Sequence, residues 1–168
     1  MVLETERLIL EEFTLQDATF FYKLVNDPDW IKYIGDRNVK TILDAENYLK
    51  NKIISSYQAF GFGFYVVRLL DRKTPIGMCG LIKRDWLHHV EIGYAFLTKF
   101  RGKGYALEAS ISTKKYAKNQ LGIHQLAAIT DVNNERSENL LKKLGFKYNR
   151  LITYPGEESK CKFYLEIT

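Results

Sequence analysis

The sequence predicts an α/β protein of the mixed α+β kind, with one central mixed β-sheet and helices on both faces. The early part of the chain is rich in strand-like segments, and the later part follows the order strand, helix, strand, helix, strand, strand. All three prolines fall at predicted turns, and no Pro/Gly/Ser-rich linker interrupts the chain. With 168 residues, 46% of them hydrophobic, the chain suits one compact domain spanning residues 1–168.

The first third of the chain predicts one strand and two helices. Residues 7–12 alternate enough in polarity to form a strand. Residues 14–17, Thr-Leu-Gln-Asp, have the form of a capping box, so a helix should begin there and run to about Val25. Residues 41–44 repeat this signal and open a second helix. The apolar face of that helix is formed by Ile42, Ala45, Leu49 and Ile53.

A hairpin and a further strand are predicted next. Residues 62–70 are rich in aromatic and β-branched types, and residues 76–82 resume an extended pattern after a turn at residues 71–75. A loop at residues 85–89 then leads into a strand at residues 90–97.

The second half alternates between helices and strands. Residues 105–120 are predicted to be helical, followed by a strand at residues 126–130 and a helix at residues 134–144. Residues 147–152 and 160–167 form a closing pair of strands. The first of these helices has a narrow face of small side chains, which would let it lie close to a sheet: Ala106, Ala109, Ser110, Thr113 and Ala117.

Charge, cysteine usage and hydropathy limit the classes of function. Lysine and arginine number 25 against 20 acidic residues, and this net charge of +5 favours anionic ligands. The basic residues are scattered among acids, which argues against an RNA-binding module, so no direct nucleic-acid contact is expected. Cys79 and Cys161 are isolated, so no metal site is expected. Residues 1–6 are acidic and no apolar run approaches the roughly 20 residues of a membrane span, so we expect a cytoplasmic protein without a membrane partner.

The turn at residues 100–106 is the chemically informative segment, because it joins a predicted strand to a predicted helix. Free backbone N–H groups and the helix dipole make such a junction an anion site. Gly102 and Gly104 remove side chains that would block a pyrophosphate, and Arg101 and Lys103 add positive charge. The Lys-Ser/Thr pair of a Walker A loop and the full GxGxxG spacing are both absent, so neither ATP nor NAD is supported. By itself the segment predicts either a phosphate site or an ordinary tight turn.

Two segments together resemble the GNAT superfamily of N-acetyltransferases. The turn is similar to motif A of that family, Gln/Arg-x-x-Gly-x-Gly/Ala, with Lys99, Gly102 and Gly104 at the three positions. Residues 134–146 are similar to motif B, Asn-x-x-Ser-x-x-Leu/Val-Leu-x-Lys-Leu-Gly-Phe. Similarity to the branch of ribosomal-protein alanine N-acetyltransferases comes from residues 4–10, 76–81 and 91–94. The resemblance implies the GNAT-like acyl-CoA N-acyltransferase fold.

The resemblance also implies acetyl-CoA as the cosubstrate and direct transfer of its acetyl group to a primary amine. In this fold a strand splays from its neighbour, and the pantetheine arm pairs with the exposed main chain, here that of Phe96 and Leu97. Asn134 should contact the same arm, Ser137 should face the thioester sulfur, and Lys143 should approach the nucleotide half. The turn completes the predicted cofactor site with Arg101, Gly102, Lys103, Gly104, Tyr105 and Ala106.

Glu91 and Ser137 are the predicted catalytic residues. Glu91, on the strand beside the cleft, is the first candidate to deprotonate the amine, directly or through water. Weaker alternatives are Glu12, His88 and His89. Many relatives carry a tyrosine where this chain has Leu141, so Ser137 is expected to hydrogen-bond to the sulfur instead. A main-chain N–H near Phe96 should stabilise the oxyanion.

The acceptor is predicted to be a protein N-terminal α-amine, and a ribosomal protein is one candidate partner. An α-amine titrates near 8 and a lysine near 10.4, so an N-terminal acceptor demands less of a base. A small-molecule amine, such as a polyamine, an aminoglycoside or an amino acid, is the alternative within the fold. Its pocket would be lined by Tyr33, Tyr57, Phe60 and Phe62. A non-catalytic RNA- or ribosome-binding module is the alternative from another class.

Overall fold

The computed structural model describes residues 2–71 and 73–166. Arg72 of the predicted hairpin turn and Ile167 of the predicted last strand lie outside these residues. The described strands form one eight-stranded sheet with the order β1-β2-β3-β4-β5-β6-β8-β7. Their bounds are β1 (Val2–Glu4), β2 (Leu8–Glu12), β3 (Phe64–Leu69), β4 (Pro75–Ile82), β5 (Glu91–Phe96), β6 (Ala127–Asp131), β7 (Phe146–Thr153) and β8 (Lys160–Glu166).

Six α-helices are found in the described part of the chain. Their bounds are α1 (Ala18–Val25), α2 (Pro28–Tyr33), α3 (Ile42–Tyr48), α4 (Ser55–Phe60), α5 (Tyr105–Leu121) and α6 (Glu135–Lys143). A π-helical turn at Leu49–Ile54 joins α3 to α4, and short 3₁₀ turns occupy Leu15–Asp17 and Thr98–Phe100.

One pair of neighbouring strands differs from the rest of the sheet. β5 and β6 run parallel, whereas the other neighbours run antiparallel. The parallel pair is joined at one register position, Glu91 opposite Ala127, where the Ala127 N–H donates to the Val90 carbonyl at 2.9 Å. No later residue of β5 pairs with β6 in the described chain, so a gap opens between the carboxyl ends of the two strands.

The helices cover both faces of the sheet, as predicted. On one face, helices α1 to α3 and the π-helical turn bury Phe21, Trp30 and Leu49 against Val66 and Met78. On the other face, the small side chains of α5 pack on β4. There Cys79 is fully buried, and its sulfur lies 3.4 Å from the Thr113 hydroxyl oxygen and 3.7 Å from that of Ser110. Burial raises the pKa of the Cys79 thiol to about 11, as expected for a structural rather than a reactive thiol.

The capping boxes predicted at Thr14 and Thr41 are both present. The Thr14 N–H donates to Asp17 Oδ2 at 2.9 Å, and the Asp44 N–H donates to Thr41 Oγ1 at 3.1 Å. The helix predicted over residues 42–53 continues through the π-helical turn, and Ile42 on its predicted apolar face is 38% exposed. The sequence patterns did not predict α2 and β1, which have six and three residues.

Candidate active site

The glycine turn, residues 100–106, leads from β5 into α5. Gly102 and Gly104 have φ angles of 73° and 83°, which residues with a Cβ atom rarely adopt. Apart from its chain neighbours, no described atom lies within 4 Å of where a Cβ on Gly102 would sit. The first N–H groups of α5, from Tyr105 onward, have no acceptor within the helix. The turn therefore offers main-chain donors and the positive end of the helix dipole to an anionic group.

Arg7 and Glu108 hold this turn against the first strands. Arg7 Nε donates to Glu108 Oε2 at 2.7 Å, and Arg7 Nη1 donates to the Lys103 carbonyl at 3.0 Å. Glu108 also accepts from the Thr5 hydroxyl at 2.7 Å. Burial raises the pKa of Glu108, but the hydrogen bonds from Thr5 and Arg7 outweigh it and leave the pKa below its usual value. Residues 4–10, which carried part of the family resemblance, thus position the glycine turn.

Arg101 ties the turn to α2. Its Nε donates to the Phe96 carbonyl at 2.7 Å, its Nη2 donates to Asp27 Oδ1 at 3.0 Å, and its Nη1 donates to Asp29. The buried Asp27 also accepts from the Thr98 hydroxyl at 3.0 Å. Burial raises the pKa of Asp27, but the Thr98 hydrogen bonds and the Arg101 charge bring it below its usual value. The phosphate contact predicted for Arg101 stays a prediction, because its guanidinium is engaged with these partners.

The other predicted side chains of the turn lie nearer the surface. Lys103 is exposed, and its ammonium lies 5.8 Å from the centroid of the Phe100 ring. The Tyr105 ring lies 4.7 Å from the Arg7 guanidinium, and Ala106 is half-buried in the first turn of α5. Lys103 is therefore the side chain of the turn whose charge is accessible to a ligand.

The gap beside β5 exposes main-chain donors. The Leu97 N–H donates to the Ile76 carbonyl of β4 at 3.0 Å. Neighbouring residues of a strand direct their N–H groups to opposite sides, so the N–H groups of Phe96 and Tyr94 face the gap. Of the two predicted main-chain contacts, the structure presents Phe96 to the gap and engages the N–H of Leu97 elsewhere.

Asn134 and Ser137 lie at the start of α6, across the gap from β5. Asn134 Oδ1 caps the helix by accepting the Ser137 N–H at 3.1 Å. The Ser137 hydroxyl oxygen lies 3.0 Å from the phenol oxygen of Tyr94, which also donates to the Ser137 carbonyl at 3.3 Å. Leu141 is buried in the core, and Lys143 is exposed at the far end of the helix. The Ser137 hydroxyl is therefore in hydrogen-bond contact with a second hydroxyl.

Tyr94 is the site candidate that sequence reasoning missed. Burial raises the pKa of its phenol well above the usual value, so the group stays protonated and can donate a hydrogen bond. Its place in residues 91–94, a segment that carried family resemblance, was the available signal. An aromatic residue in a strand is ordinarily a packing residue, so only the contact across the gap distinguishes it.

Glu91 lies at the closed end of the gap, where β5 and β6 pair. The side chain is 5% exposed and accepts a hydrogen bond from Arg84 Nε within an ion pair. The Arg84 guanidinium lies 5.9 Å from the Trp86 ring centroid and 5.0 Å from that of Tyr154. Burial raises the pKa of Glu91, and the charges of Arg84 and Arg37 offset only part of that rise. The Glu91 carboxylate is therefore fixed by Arg84, and its pKa lies above the usual value.

A cavity of about 690 Å³ joins these groups. Its lining includes Glu91, Tyr94, Asn134 and Ser137. The structure thus brings the two predicted catalytic residues and the predicted pantetheine contact of Asn134 into one space. The glycine turn lies outside this lining.

Comparison with known proteins decides the family. The family model described as an acetyltransferase (GNAT) domain matches residues 7–147. The chain belongs to the GNAT acetyltransferases. It is 30% identical over 148 residues to the uncharacterized N-acetyltransferase YnaD of Bacillus subtilis (strain 168), an alignment that covers 88% of this chain and 83% of the relative.

A functionally named relative and a solved structure agree with this assignment. The acetyltransferase is 31% identical over 99 residues to the ribosomal protein uS5-alanine N-acetyltransferase of Escherichia coli (strain K12), which covers 58% of this chain and 50% of that protein. A crystal structure of a GNAT-family acetyltransferase from Bacillus anthracis has a TM-score of 0.81 and 25% identity, covering 98% of this chain and 97% of that one. The predicted family, fold class and acetyl-CoA-dependent N-acetyltransferase activity are therefore confirmed.

The residues predicted to line an acceptor pocket divide into two groups. Tyr33, Phe60 and Phe62 line the cavity of the acetyltransferase. Tyr57 does not, so its assignment to the pocket was wrong. Its hydroxyl accepts the Phe13 N–H at 3.0 Å and its ring stacks on Tyr65, because the residue packs from α4 onto the sheet.

The alternative bases of the acetyltransferase lie away from the cavity lining, which includes none of Glu12, His88 and His89. His89 Nε2 lies 3.1 Å from Gln125 Oε1, and the exposed His88 packs against the ring of His89. No group of three or more metal-binding side chains occurs in residues 2–71 and 73–166. In the same residues, no helix is long and apolar enough to cross a membrane.

Proposed function

We propose that this acetyltransferase transfers the acetyl group of acetyl-CoA to the α-amine of a peptide or protein N-terminus. The observation that carries the proposal is the buried ion pair of Glu91 with Arg84. Burial raises the pKa of this carboxylate and its guanidinium partner offsets part of the rise, which leaves a modest base. It suits an α-amine, which titrates near 8, better than a lysine, which titrates near 10.4. The uS5-alanine N-acetyltransferase among the relatives supports the same class of acceptor.

The residues of the chain fit acetyl-CoA at three places. The main-chain donors of the glycine turn suit the pyrophosphate, with the exposed Lys103 beside them. The Phe96 N–H faces the gap and suits an amide of the pantetheine arm, together with Asn134. The hydroxyls of Tyr94 and Ser137 lie farther along the same gap. When bound, acetyl-CoA supplies a thioester whose acyl carbon a neutral amine can attack.

Glu91 receives the proton of the attacking amine in this mechanism. Glu91 lies three positions before Tyr94 on β5, which places their Cα atoms about 10 Å apart at a rise of about 3.3 Å per residue. Ordered water relays the proton from the amine to the carboxylate in the proposed mechanism. The Tyr94 N–H, which also faces the gap, donates to the carbonyl oxygen on which negative charge develops. As the C–N bond forms and the C–S bond breaks, the hydroxyls of Tyr94 and Ser137 hydrogen-bond to the departing thiolate.

Two measurements test the proposal. Thermal shift with acetyl-CoA, CoA, ATP and NADH at matched concentration should show stabilisation by the two coenzymes, because a ligand of the native state raises its melting temperature. Stabilisation by ATP alone would contradict the cofactor assignment. Acetyl transfer is then followed by mass spectrometry with a lysine-containing peptide, the same peptide with a formylated N-terminus, and spermidine. We expect acetylation at the free α-amine only. Acetylation of spermidine or lysine without the α-amine would contradict the proposed acceptor.

A further inference from the structure

The lining of the cavity has an excess of positive charge. Its basic lining residues are Lys32, Arg37, Lys52, Lys83 and Arg84. Its acidic lining residues are Glu91, Asp131 and Glu157. Two of these acids already have partners, because Glu91 pairs with Arg84 and Asp131 Oδ1 accepts the Asn133 N–H at 2.8 Å. A polyamine would bring further positive charge into a basic cavity, whereas an anionic acceptor would be attracted.

Arg37 is the basic group with the clearest capacity for an anion. Its charge opposes the burial that raises the pKa of Glu91, and it does the same at Tyr154, so it acts on the same space as Arg84. Arg84 satisfies the Glu91 carboxylate. Within residues 2–71 and 73–166, Arg37 forms no ion pair. Two guanidinium groups thus act on one carboxylate, and one of them has no carboxylate of its own.

The loop that carries Arg37 is held in place by its neighbours. Asp36 Oδ1 accepts the Asn38 N–H at 2.7 Å, which closes a turn around Arg37. Asn26 Nδ2 donates to the Val39 carbonyl at 3.0 Å, and the Val39 side chain is buried in the core. The backbone on either side of Arg37 is therefore fixed, while its side chain lines the cavity.

We propose that the acceptor carries a carboxylate close to its α-amine and that Arg37 binds this carboxylate. A guanidinium binds a carboxylate through two parallel N–H···O bonds. Lys52, in the π-helical turn after α3, adds electrostatic attraction. The inference rests on the proposed function and narrows the acceptors to those with a carboxylate close to the α-amine. The carboxylate comes from an acidic side chain beside a peptide N-terminus or from the α-carboxylate of a free amino acid.

Matched acceptors test this inference. Two hexapeptides differ only in Asp or Asn at the second position, and free aspartate, neutral amino-acid amides and spermidine complete the set. At low ionic strength we expect the KM for the Asp peptide to be about tenfold below that for the Asn peptide. The difference should shrink in 1 M salt, where the Debye length is about 3 Å. Selective turnover of free aspartate would identify a free amino acid as the source of the carboxylate and contradict the peptide acceptor.

Variants assign the effect to the cavity. Arg37→Gln should raise the KM for the Asp peptide about tenfold relative to that for the Asn peptide, and Lys52→Gln should act in the same direction more weakly. Lys147→Gln removes the same charge from the exposed face of β7, outside the cavity lining, and should change neither KM. Thermal melts check that each variant folds. Equal KM values in the unmodified enzyme, or a preference that survives Arg37→Gln, would overturn the inference and leave α-amine transfer standing. Turnover of spermidine alone would overturn both.

Discussion

Replacing Arg101 with methionine separates a structural role from a phosphate-binding role. The substitution keeps the aliphatic stem and removes the bonds to Phe96, Asp27 and Asp29. Breaking a buried ion pair costs about 3–5 kcal/mol. The Arg101 side chain is 25% exposed and Thr98 still donates to Asp27, so we expect a loss of about 2–3 kcal/mol. For a domain of this size that lowers the melting temperature by about 5–10 °C.

Urea unfolding and calorimetric titration with CoA measure the two roles separately. Asp27→Asn in the Arg101→Met background should recover part of the lost stability, because it removes the buried charge that has lost its partner. Lys103→Met is the matched control, since the Lys103 side chain is exposed in the same turn and forms no described ion pair. It should weaken CoA binding without changing the free energy of unfolding. Unchanged stability and weakened CoA binding in Arg101→Met would refute the structural role and favour the phosphate contact.

Three further predictions concern the turn, the hydroxyl pair and acid stability. Glu108→Gln removes the anion that holds Arg7. The Kd for acetyl-CoA should therefore rise about fivefold or more, a loss of about 1 kcal/mol of binding free energy, while kcat at saturation is retained. An unchanged Kd would contradict the role of Glu108 in positioning the glycine turn. Tyr94→Phe and Ser137→Ala should each lower kcat about tenfold, and the double variant should fall by less than the product, as steady-state kinetics can measure. The pKa of Asp27 is lowered in the folded state, so this carboxylate stabilises the fold above its unfolded pKa of 3.8. That stabilisation is lost as the pH falls through the lower folded pKa. Asp27→Asn should therefore reduce the pH dependence of the free energy of unfolding, measured in urea, below about pH 4.

Local signals predicted the elements in which short-range interactions dominate. Both capping boxes are present because the side chain and the backbone that it caps lie three residues apart. The helix α2 has six residues, too few for a periodic pattern, and Asp27 at its start is held by Arg101, which lies far along the chain. Such a helix depends on tertiary contacts, so its sequence alone carried little signal.

The sequence by itself determined the family, the cosubstrate and the place of the glycine turn, because those depend on residues close together in the chain. Only the tertiary structure decided which side chains share the cavity. Tyr94 contacts Ser137, which lies 43 positions later in the chain. The charge of Arg37, in the loop between α2 and α3, affects the pKa of Glu91 on β5. The physical reason is that the gap between β5 and β6 exists only after a crossover helix has aligned two strands without pairing their ends. No local pattern records which groups face such a gap. The glycine turn could be read from the chain, whereas the acceptor side of the site could not.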